Sequence, residues 1–381
     1  METAAWEAAG LYQPDAPDAD ERRALLEYLT ERGATIDQMV EAHRTGSLPA
    51  VAGDLVRAAD QTTLSLEELA ARSGVTVERA QRVLLSLGLV ATPTDAAPLS
   101  LAGVIDSFEQ GAALMGDDAI FAFTRVLGAA ATNIAEAAVA LFYAELGPGT
   151  AREGPDALAR ARMSETATLA FATVPDVLER VLMAQFDRAS RRAVLARGWS
   201  TEPAPTVDGE VGGPSETVAL GFVDLVGSTA WAEGLTLRDH SLALSRFESA
   251  AWTSAVLADG RVVKMIGDEV FFAAPSVDAA CRIATELCRA AEADPVLPSA
   301  RGAVGHGLVV PREGDYFGPL VNVVSRLVKV ADAGGVVVTF DAAAALPTDR
   351  WTVHELDPQR LRGVDQPIRT FTVAEAPAPP T

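Results

Sequence analysis

Cysteine is scarce in this sequence, and long uncharged apolar runs do not occur in it. The 381 residues include two cysteines, Cys281 and Cys288, which stand seven apart in a helix-like run. This spacing forms neither a disulfide framework nor a metal-binding pattern, and it indicates a reducing compartment. No stretch of about 18 uncharged apolar residues and no basic-then-apolar N-terminal segment is present. We therefore expect a cytoplasmic protein with neither a membrane span nor a signal peptide.

Positive charge is also in short supply. The chain carries 52 acidic and 31 basic residues, which gives a net charge of -21. Nucleic-acid backbones and anionic membranes are bound through clustered Lys and Arg, so this balance predicts no nucleic-acid partner. Lysine occurs only as Lys264 and Lys329. A site that keeps a lysine in such a chain is a candidate for function.

The length and the hydrophobic content, 49%, suit two folded domains. Residues 198–216 are rich in Pro, Gly, Ser and Thr, which is typical of a flexible linker. Before this linker, apolar residues recur at three- and four-residue spacing, so residues 1–197 predict an all-α domain. The predicted helices cover residues 20–33, 35–45, 49–59, 65–73, 76–88, 100–115, 118–146 and 155–197. The Pro-rich residues 376–381 predict a tail.

Residues 217–375 follow a different pattern, in which short runs rich in Val, Ile and Phe predict strands. These strands cover residues 217–224, 261–266, 270–274, 301–310, 336–340 and 368–373. Helical patterns fall between them at 235–258, 277–293 and 318–332. The opening order is βαββαβ, the ferredoxin-like arrangement of an antiparallel sheet backed by helices. The whole chain is therefore predicted to be α+β.

The first candidate site residue is Asp224, which ends a predicted strand before a small-residue turn and a helix. A carboxylate at this place can hold a hard cation, and the following helix N-terminus can offer N–H groups to a phosphate. The alternative is a helix-capping aspartate in a tight turn.

The second candidate is Asp268, at the tip of a predicted hairpin between two apolar strands. Two aspartates on neighbouring strands can share a pair of divalent ions about 3.5–4 Å apart, an arrangement suited to phosphoryl chemistry. Gly-Asp is also an ordinary hairpin turn, which is the alternative explanation.

The third candidate segment runs from Gly314 to Leu327 and contains Asn322 and Arg326. These two residues stand four apart on a helical pattern and so share one face. An amide that orients a ribose and a cation that meets a phosphate are a plausible pair. The alternative is a solvated helix face.

Together, these segments resemble the catalytic domain of the class III nucleotidyl cyclases over about residues 215–375. The resemblance implies that Asp224 and Asp268 bind two divalent metal ions, Mg or Mn. It also implies that Lys264 and Asp315 select the base. Asn322 and Arg326 would orient the ribose and stabilise the transition state. The family builds its site across a head-to-tail pair of domains, so the resemblance implies a homodimer.

The base-selecting pair also carries a chemical argument. Adenine presents an acceptor at N1 and a donor at its exocyclic amine, which Lys264 and Asp315 would match, whereas guanine reverses the demand. We therefore expect ATP as substrate and cyclic AMP as product. Arg362 lies in a Leu-Arg-Gly-Val segment similar to the family's triphosphate-contacting element, although a surface arginine at a turn is the alternative.

The N-terminal half has the segment Arg22-Arg-Ala-Leu-Leu-Glu-Tyr-Leu near its start, a helix-turn-helix-like pair of helices and a long helical run into the linker. With these general signals it resembles the helical regulatory domain of soluble actinobacterial class III cyclases. The resemblance implies control of the catalytic dimer, often inhibitory and in some members responsive to pH. His43 is the only histidine before the linker. The effector of this domain could be a proton, a small molecule, or a lipid that binds at the apolar residues 119–146. The sequence does not choose among them.

Two other functions compete with the cyclase interpretation. Residues 64–89 show the spacing of a helix-turn-helix, which would suit a DNA-binding regulator with a degenerate nucleotide-binding module. Against this, the second helix offers only Arg79 and Arg82, offset by Glu78. A diguanylate cyclase is the second alternative, because Glu269 follows Asp268 in a hairpin similar to the Gly-Gly-Asp-Glu-Phe hairpin of those enzymes.

Overall fold

The computed structural model describes residues 2–58, 62–89, 97–146, 156–197, 215–364 and 366–376. The chain mixes helix and sheet and divides into two compact units, Met1–Gln185 and Phe186–Thr381. The predicted linker 198–216 lies outside the described residues except for its last two positions, and the predicted tail does so except for Ala376.

The first unit is built mainly from helices. They are α1 (Glu2–Ala8), α2 (Ala19–Glu31), α3 (Ile36–Arg44), a 3-10 turn (Leu48–Ala50), α4 (Val51–Ala58), α5 (Leu66–Arg72), α6 (Val77–Ser86), α7 (Ser100–Met115), α8 (Asp117–Leu146), α9 (Ala157–Phe171) and α10 (Val174–Arg197). Two two-residue strands, β1 (Thr63–Leu64) and β2 (Ala97–Pro98), pair antiparallel. The prediction of a purely helical domain therefore missed one short strand pair.

Helix starts in this unit follow from local side-chain chemistry. Thr35 begins α3 and Ser65 begins α5, and each forms a capping box with the residue three positions on, Gln38 or Glu68. These side chains satisfy backbone N–H groups that have no partner inside the helix. The apolar faces of the helices then pack into two separate clusters, one around Leu25 and the other around Ile105.

The predicted helix over 155–197 is wrong in one respect, because the structure forms α9 and α10 with a break at Ala172 and Thr173. Pro175 explains the break, since proline lacks an N–H and is tolerated only in a helix's first turn. The two compact units divide inside α10, after Gln185. The end of α10 belongs to the second unit, where Arg188 lies 4.0 Å from the Asp259 carboxylate.

The second unit contains one large sheet. Its strands are β3 (Glu216–Leu225), β4 (Arg261–Ile266), β5 (Glu269–Ala274), β6 (Ala300–Arg312), β7 (Asp315–Phe317), β8 (Val336–Thr339), β9 (Trp351–Glu355) and β10 (Thr370–Glu375). Its helices are α11 (Ser228–Glu233), α12 (Leu237–Leu257), α13 (Val277–Ala293), α14 (Pro319–Leu327) and α15 (Phe340–Ala344). A 3-10 turn, Val328–Val330, follows α14.

The strand order across the sheet is β4-β5-β3-β6-β8-β10-β9, with β7 paired to β6. The β6–β8 pair is parallel and the other described pairs are antiparallel. Along the chain, β3, α12, β4, β5, α13 and β6 follow the predicted βαββαβ order. The central position of β3 places the end of that strand, and hence Asp224, between β5 and β6.

Both faces of the sheet are buried. Along β3, Ala219 and Val223 pack in one cluster with residues of α12 and α13, while Leu220 and Phe222 pack in another with residues of α14. This alternation is the two-residue period of a strand covered on both sides. The sheet is therefore a rigid support for side chains at its strand ends.

The predicted strands agree with the structure to within two residues at each end. The pattern missed β7, β9 and α15, each of which has five residues or fewer. The helical pattern at 235–258 matches α12 to within two residues and leaves out α11, and the pattern at 318–332 extends α14 through the 3-10 turn that follows it.

Candidate functional site

Asp224 lies on the central strand with a charged residue directly opposite it on each neighbouring strand. The register pairs Asp224 with Glu269 of β5 and with Arg301 of β6. Its side chain is 6% exposed and its Oδ2 atom lies 3.1 Å from Arg301 Nη2 and 2.6 Å from Lys329 Nζ. The candidate ligand is thus a buried carboxylate held by two cations.

Glu269 extends this cluster. Its Oε2 atom lies 3.6 Å from Lys329 Nζ, so one ammonium group faces two carboxylates. Burial raises the pKa of Glu269, and the negative charge of Asp224 adds to that effect, while Lys329 opposes it. Glu269 entered the sequence-based predictions only through the diguanylate cyclase alternative, and neither Arg301 nor Lys329 was selected as a site residue. The scarcity of lysine was the one signal that pointed to Lys329.

Asp268 lies in the two-residue turn between β4 and β5. Gly267 adopts φ +63° there, a conformation that glycine accepts without a Cβ clash. The Asp268 carbonyl oxygen accepts a hydrogen bond from the Leu225 N–H at 3.4 Å. This contact ties the turn to the end of β3, next to Asp224.

Carboxylate oxygens are the ligands that Mg²⁺ and Mn²⁺ prefer. Asp224 is buried and paired with two cationic side chains, so positive charge is favourable next to this carboxylate. The chemistry of the cluster therefore fits a cation. Within the described parts of the chain, however, no three His, Cys, Asp or Glu side chains are grouped closely enough to hold a metal ion. The described residues therefore include carboxylates that suit a metal ion, but not a group of three such side chains close enough to coordinate one.

Lys264 and Asp315 form an ion pair between β4 and β7. A β-bulge between Val262 and Lys264 shifts the register of β4 just before Lys264, and bulges of this kind redirect side chains at functional sites. Asp315 is further fixed by the Tyr316 N–H, which donates to its Oδ1 atom at 2.7 Å. The structure thus brings together the two residues predicted to select the base.

The turn that carries Asp315 is held from the side by Arg261. Glu313 and Gly314 both have positive φ angles in the β6–β7 turn. Arg261 donates from Nη1 to the Gly314 carbonyl oxygen at 3.0 Å, and its guanidinium lies 4.8 Å from the centre of the Tyr316 ring. Sequence reasoning missed this contact, because it depends on the pairing of strands that are far apart in the chain.

Asn322 and Arg326 lie on α14, whose buried face is formed by Val324 and Leu327. Asn322 is exposed and Arg326 is half-buried. A Cβ atom added at Gly363 would lie 3.6 Å from Arg326 Nη1, so the turn containing the exposed Arg362 runs beside Arg326. The seven predicted residues therefore fall into three groups: the Asp224 cluster with the Asp268 turn, the Lys264–Asp315 pair, and the α14 face with the Arg362 turn.

The two arginines of the helix-turn-helix-like segment make contacts inside the first unit. Arg79 forms ion pairs with Glu109 at 2.7 Å and with Asp117 at 2.5 Å. Arg82 lies over the Phe121 ring, 4.1 Å from its centre. These contacts favour helix packing as the role of the segment, although DNA binding stays untested.

Two further predictions concern His43 as a candidate pH-sensing residue and the absence of a membrane span. His43 accepts a hydrogen bond at Nδ1 from Arg22 Nη2 at 3.1 Å, on the exposed surface of the first unit. Across the described residues, no helix is both long and apolar enough to cross a membrane.

Curated relatives cover nearly the whole chain, although no protein-family model matches it. A protein of Mycobacterium tuberculosis named as uncharacterized is 31% identical over 98% of this chain and 94% of the relative. The pH-sensitive adenylate cyclase of the same organism is 27% identical over 93% of this chain and 88% of the relative. An adenylate cyclase of Glutamicibacter nicotianae is 36% identical over 39% of this chain and 38% of that protein.

A solved structure covers less. The adenylyl cyclase CyaB from P. aeruginosa is 17% identical, with a TM-score of 0.39, over 43% of this chain and 96% of that chain. A likeness of this size carries no weight beside the full-length relatives.

Proposed function

The chain belongs to the class III cyclase family, and on that premise we propose that it is an adenylate cyclase, which converts ATP into 3′,5′-cyclic AMP and pyrophosphate. The observation that carries the proposal is the Lys264–Asp315 ion pair. A donor and an acceptor held together at a sheet edge match the N1 atom and the exocyclic amine of adenine. Facing guanine, the same two groups would meet mismatched partners, and an unpaired buried polar group costs about 1–3 kcal/mol.

In the proposed reaction, the ribose 3′-oxygen forms a bond to the α-phosphorus and gives up its proton to solvent water. The bond from the α-phosphorus to the bridging oxygen breaks, and pyrophosphate leaves with the electron pair. Asn322 orients the ribose, and Arg326 neutralises charge that builds up on the phosphate. Arg362, on the turn beside Arg326, would contact the triphosphate.

Asp224 and Asp268 would hold two divalent metal ions, which supply charge neutralisation and activation of the 3′-hydroxyl when bound. Two features of the chain support this role. The buried Asp224 carboxylate is surrounded by positive charge, which suits an anionic ligand of a cation, and the Asp268 turn is tied by a backbone hydrogen bond to the residue that follows Asp224.

We further propose that the active form is a homodimer. Large apolar side chains are exposed around the Lys264–Asp315 pair: Ile266, Leu308, Val310 and Phe317. Others are exposed on α8 and α10: Phe123, Leu127, Ile134, Val139, Leu141, Val177, Leu178, Val181, Leu182 and Met183. Large apolar side chains exposed in such numbers are typical of protein interfaces. A second copy would supply the metal group to one site and the base-selecting group to the other.

Regulation by the N-terminal domain, residues 1–197, is the third part of the proposal. The name of the pH-sensitive adenylate cyclase, whose similarity extends over 93% of this chain, supports proton control. A lipid or another small molecule remains an alternative effector. The test compares residues 205–381 with the full chain across a pH series. Equal activity with an equal pH profile would contradict regulation by this domain.

The main experiment incubates the full chain with ATP, and separately with GTP, in Mg²⁺ or Mn²⁺, and identifies products by mass. We expect cyclic AMP from ATP, and none from the Asp224→Ala variant. Cyclic diguanylate from GTP would support the diguanylate cyclase alternative, which the position of Glu269 beside Asp224 keeps open. No nucleotide product with either metal would contradict the enzyme proposal.

A further inference from the structure

Lys329 stands where positive charge is needed at the candidate metal site. Its ammonium nitrogen lies 2.6 Å from Asp224 Oδ2 and 3.6 Å from Glu269 Oε2. Asp224 lies at the end of β3, and Glu269 is the first residue of β5. A single point charge thus bridges Asp224, a proposed metal ligand, and the neighbouring carboxylate of Glu269.

The two cations on Asp224 are held in different ways. Arg301 is 21% exposed, lies opposite Asp224 in the strand register, and donates to Oδ2 from both Nε and Nη2, at 3.3 and 3.1 Å. Lys329 is 51% exposed and reaches Asp224 from a 3-10 turn. Arg301 is therefore fixed by the sheet, while the Lys329 side chain can leave through solvent.

The backbone of Lys329 stays in place when its side chain moves. Its carbonyl oxygen accepts a hydrogen bond from Arg301 Nη1 at 3.2 Å, and the preceding residue, Val328, is fully buried. A flexible four-carbon stem on an anchored backbone suits a charge that swings between two positions.

The charge count explains why the ammonium group must move. Asp224 and Glu269 carry two negative charges, which Arg301 and Lys329 together balance. A divalent cation added to this cluster would face the ammonium group at close range, and like charges in a partly buried site repel. Departure of Lys329 lowers the excess positive charge from two to one, because the two carboxylates then face only the metal and Arg301.

We propose that Lys329 is a displaceable counter-cation: its ammonium group neutralises Asp224 and Glu269 in the metal-free chain and leaves both when a divalent cation binds. The inference rests on the proposed function only for the use of a divalent metal at Asp224. Lys329 is thus a positioning residue, which keeps the buried carboxylates in place until the metal arrives.

The two lysines of the chain make a direct test possible. In the full chain labelled with ¹³C at lysine Cε, two lysine signals are expected, which Lys264→Arg and Lys329→Arg assign. On addition of Mg²⁺, the Lys329 signal should move towards the position of a free lysine, while the Lys264 signal stays in place. A Lys329 signal that does not move at saturating Mg²⁺ overturns the proposal.

Metal affinity gives the second readout. Calorimetry with Mg²⁺ should show a dissociation constant about tenfold lower for Lys329→Met, which is about 1.4 kcal/mol. The matched control, Lys264→Met, should leave the constant unchanged. Equal or weaker binding by Lys329→Met overturns the proposal, and the NMR measurement decides if that variant does not fold.

The outcome separates this inference from the proposed function. Cyclic AMP formation with an unmoved Lys329 signal would leave the adenylate cyclase proposal standing and reject the displacement. Displacement of Lys329 without formation of any cyclic nucleotide would support the displacement and reject the adenylate cyclase proposal.

Discussion

The two units of this chain use charged clusters in different ways. In the first unit, the clusters contain arginine: Arg32 pairs with Glu165, which also accepts from Tyr28, and Arg79 pairs with two carboxylates. The first cluster joins α2 to α9, which are distant in sequence, and the second joins the consecutive helices α6, α7 and α8. In the second unit, both lysines of the chain lie in the candidate site, and each pairs with an aspartate.

The chemistry of the two cations explains the difference. Arginine presents a planar fork that matches carboxylates and holds a geometry, whereas lysine is a hydrated point charge on a flexible stem. A cluster that fixes helices gains from the fork. A site that must exchange an internal cation for a nucleotide or a metal gains from the point charge. We therefore expect the exchangeable ion pairs to be those of the two lysines, and the arginine pairs of the first unit to be permanent.

The largest effect is expected from Asp224→Asn, which removes the buried charge at the centre of the site. Cyclic AMP formation should fall at least about a thousandfold, since metal-assisted charge stabilisation supplies several kcal/mol. Unfolding free energy should fall by roughly 1–3 kcal/mol, because Arg301 and Lys329 lose their shared partner. The measurements are product mass and urea unfolding. The exposed Asp341→Asn is the control, and an Asp224→Asn variant with half the normal activity would contradict the assignment.

Lys264→Met should have the next largest effect. It leaves Asp315 without its cation and removes a donor to adenine, so kcat/KM for ATP should fall roughly 10- to 100-fold. The preference for ATP over GTP should shrink with it, as measured by product formation from each nucleotide. An unchanged ATP preference would show that this pair does not select the base.

Arg79→Met tests whether the first unit's clusters are permanent. The change leaves Glu109 and Asp117 without their shared cation, and unfolding free energy should fall by about 1–2 kcal/mol. Arg79→Lys keeps the charge without the fork and should recover less than half of the loss. The exposed Arg72→Met is the control. Full recovery by lysine would remove the distinction between the two kinds of cluster.

The fold was largely predictable because its signals are local. Buried strands such as β3 and β5 are rich in Val, Phe and Ala, and capping residues such as Thr35 and Ser65 mark helix starts. The break between α9 and α10 was signalled by Pro175 and overlooked. Short elements such as β7 and β9 are too brief to show a period, and their pairing supplies most of their stability.

The candidate site was predictable only in part. Asp224, Asp268, Lys264 and Asp315 stand in recognisable segments, whereas the partners of Asp224 depend on tertiary register. Arg301 begins a strand far along the chain and meets Asp224 only because β6 pairs with β3 in one register. The bulge before Lys264 is likewise invisible in a pattern of apolar residues. Contacts across the sheet therefore had to come from the structure.

The smallest effect on stability is expected from Glu165→Gln. This variant tests the arginine clusters of the first unit through the pH dependence of unfolding. Arg32, and then Tyr28, lower the pKa of Glu165 below its ordinary value of 4.5. Because the pKa of Glu165 is lower in the folded state than in the unfolded state, the ion pair stabilises the first unit fully at pH values above 4.5. This contribution is lost as pH falls through the lowered pKa.

Thermal unfolding near neutral pH should therefore show Glu165→Gln less stable than the original chain by about 0.5–1 kcal/mol, since the pair is partly exposed. The difference should shrink as pH falls below the ordinary value of the carboxyl group. Glu41→Gln, at an exposed pair within α3, is the control. Because Arg32 and Glu165 act on the first unit alone, metal affinity should stay unchanged in this variant. A change in metal affinity would mean that this arginine cluster is coupled to the site, and the contrast between permanent and exchangeable pairs would fail.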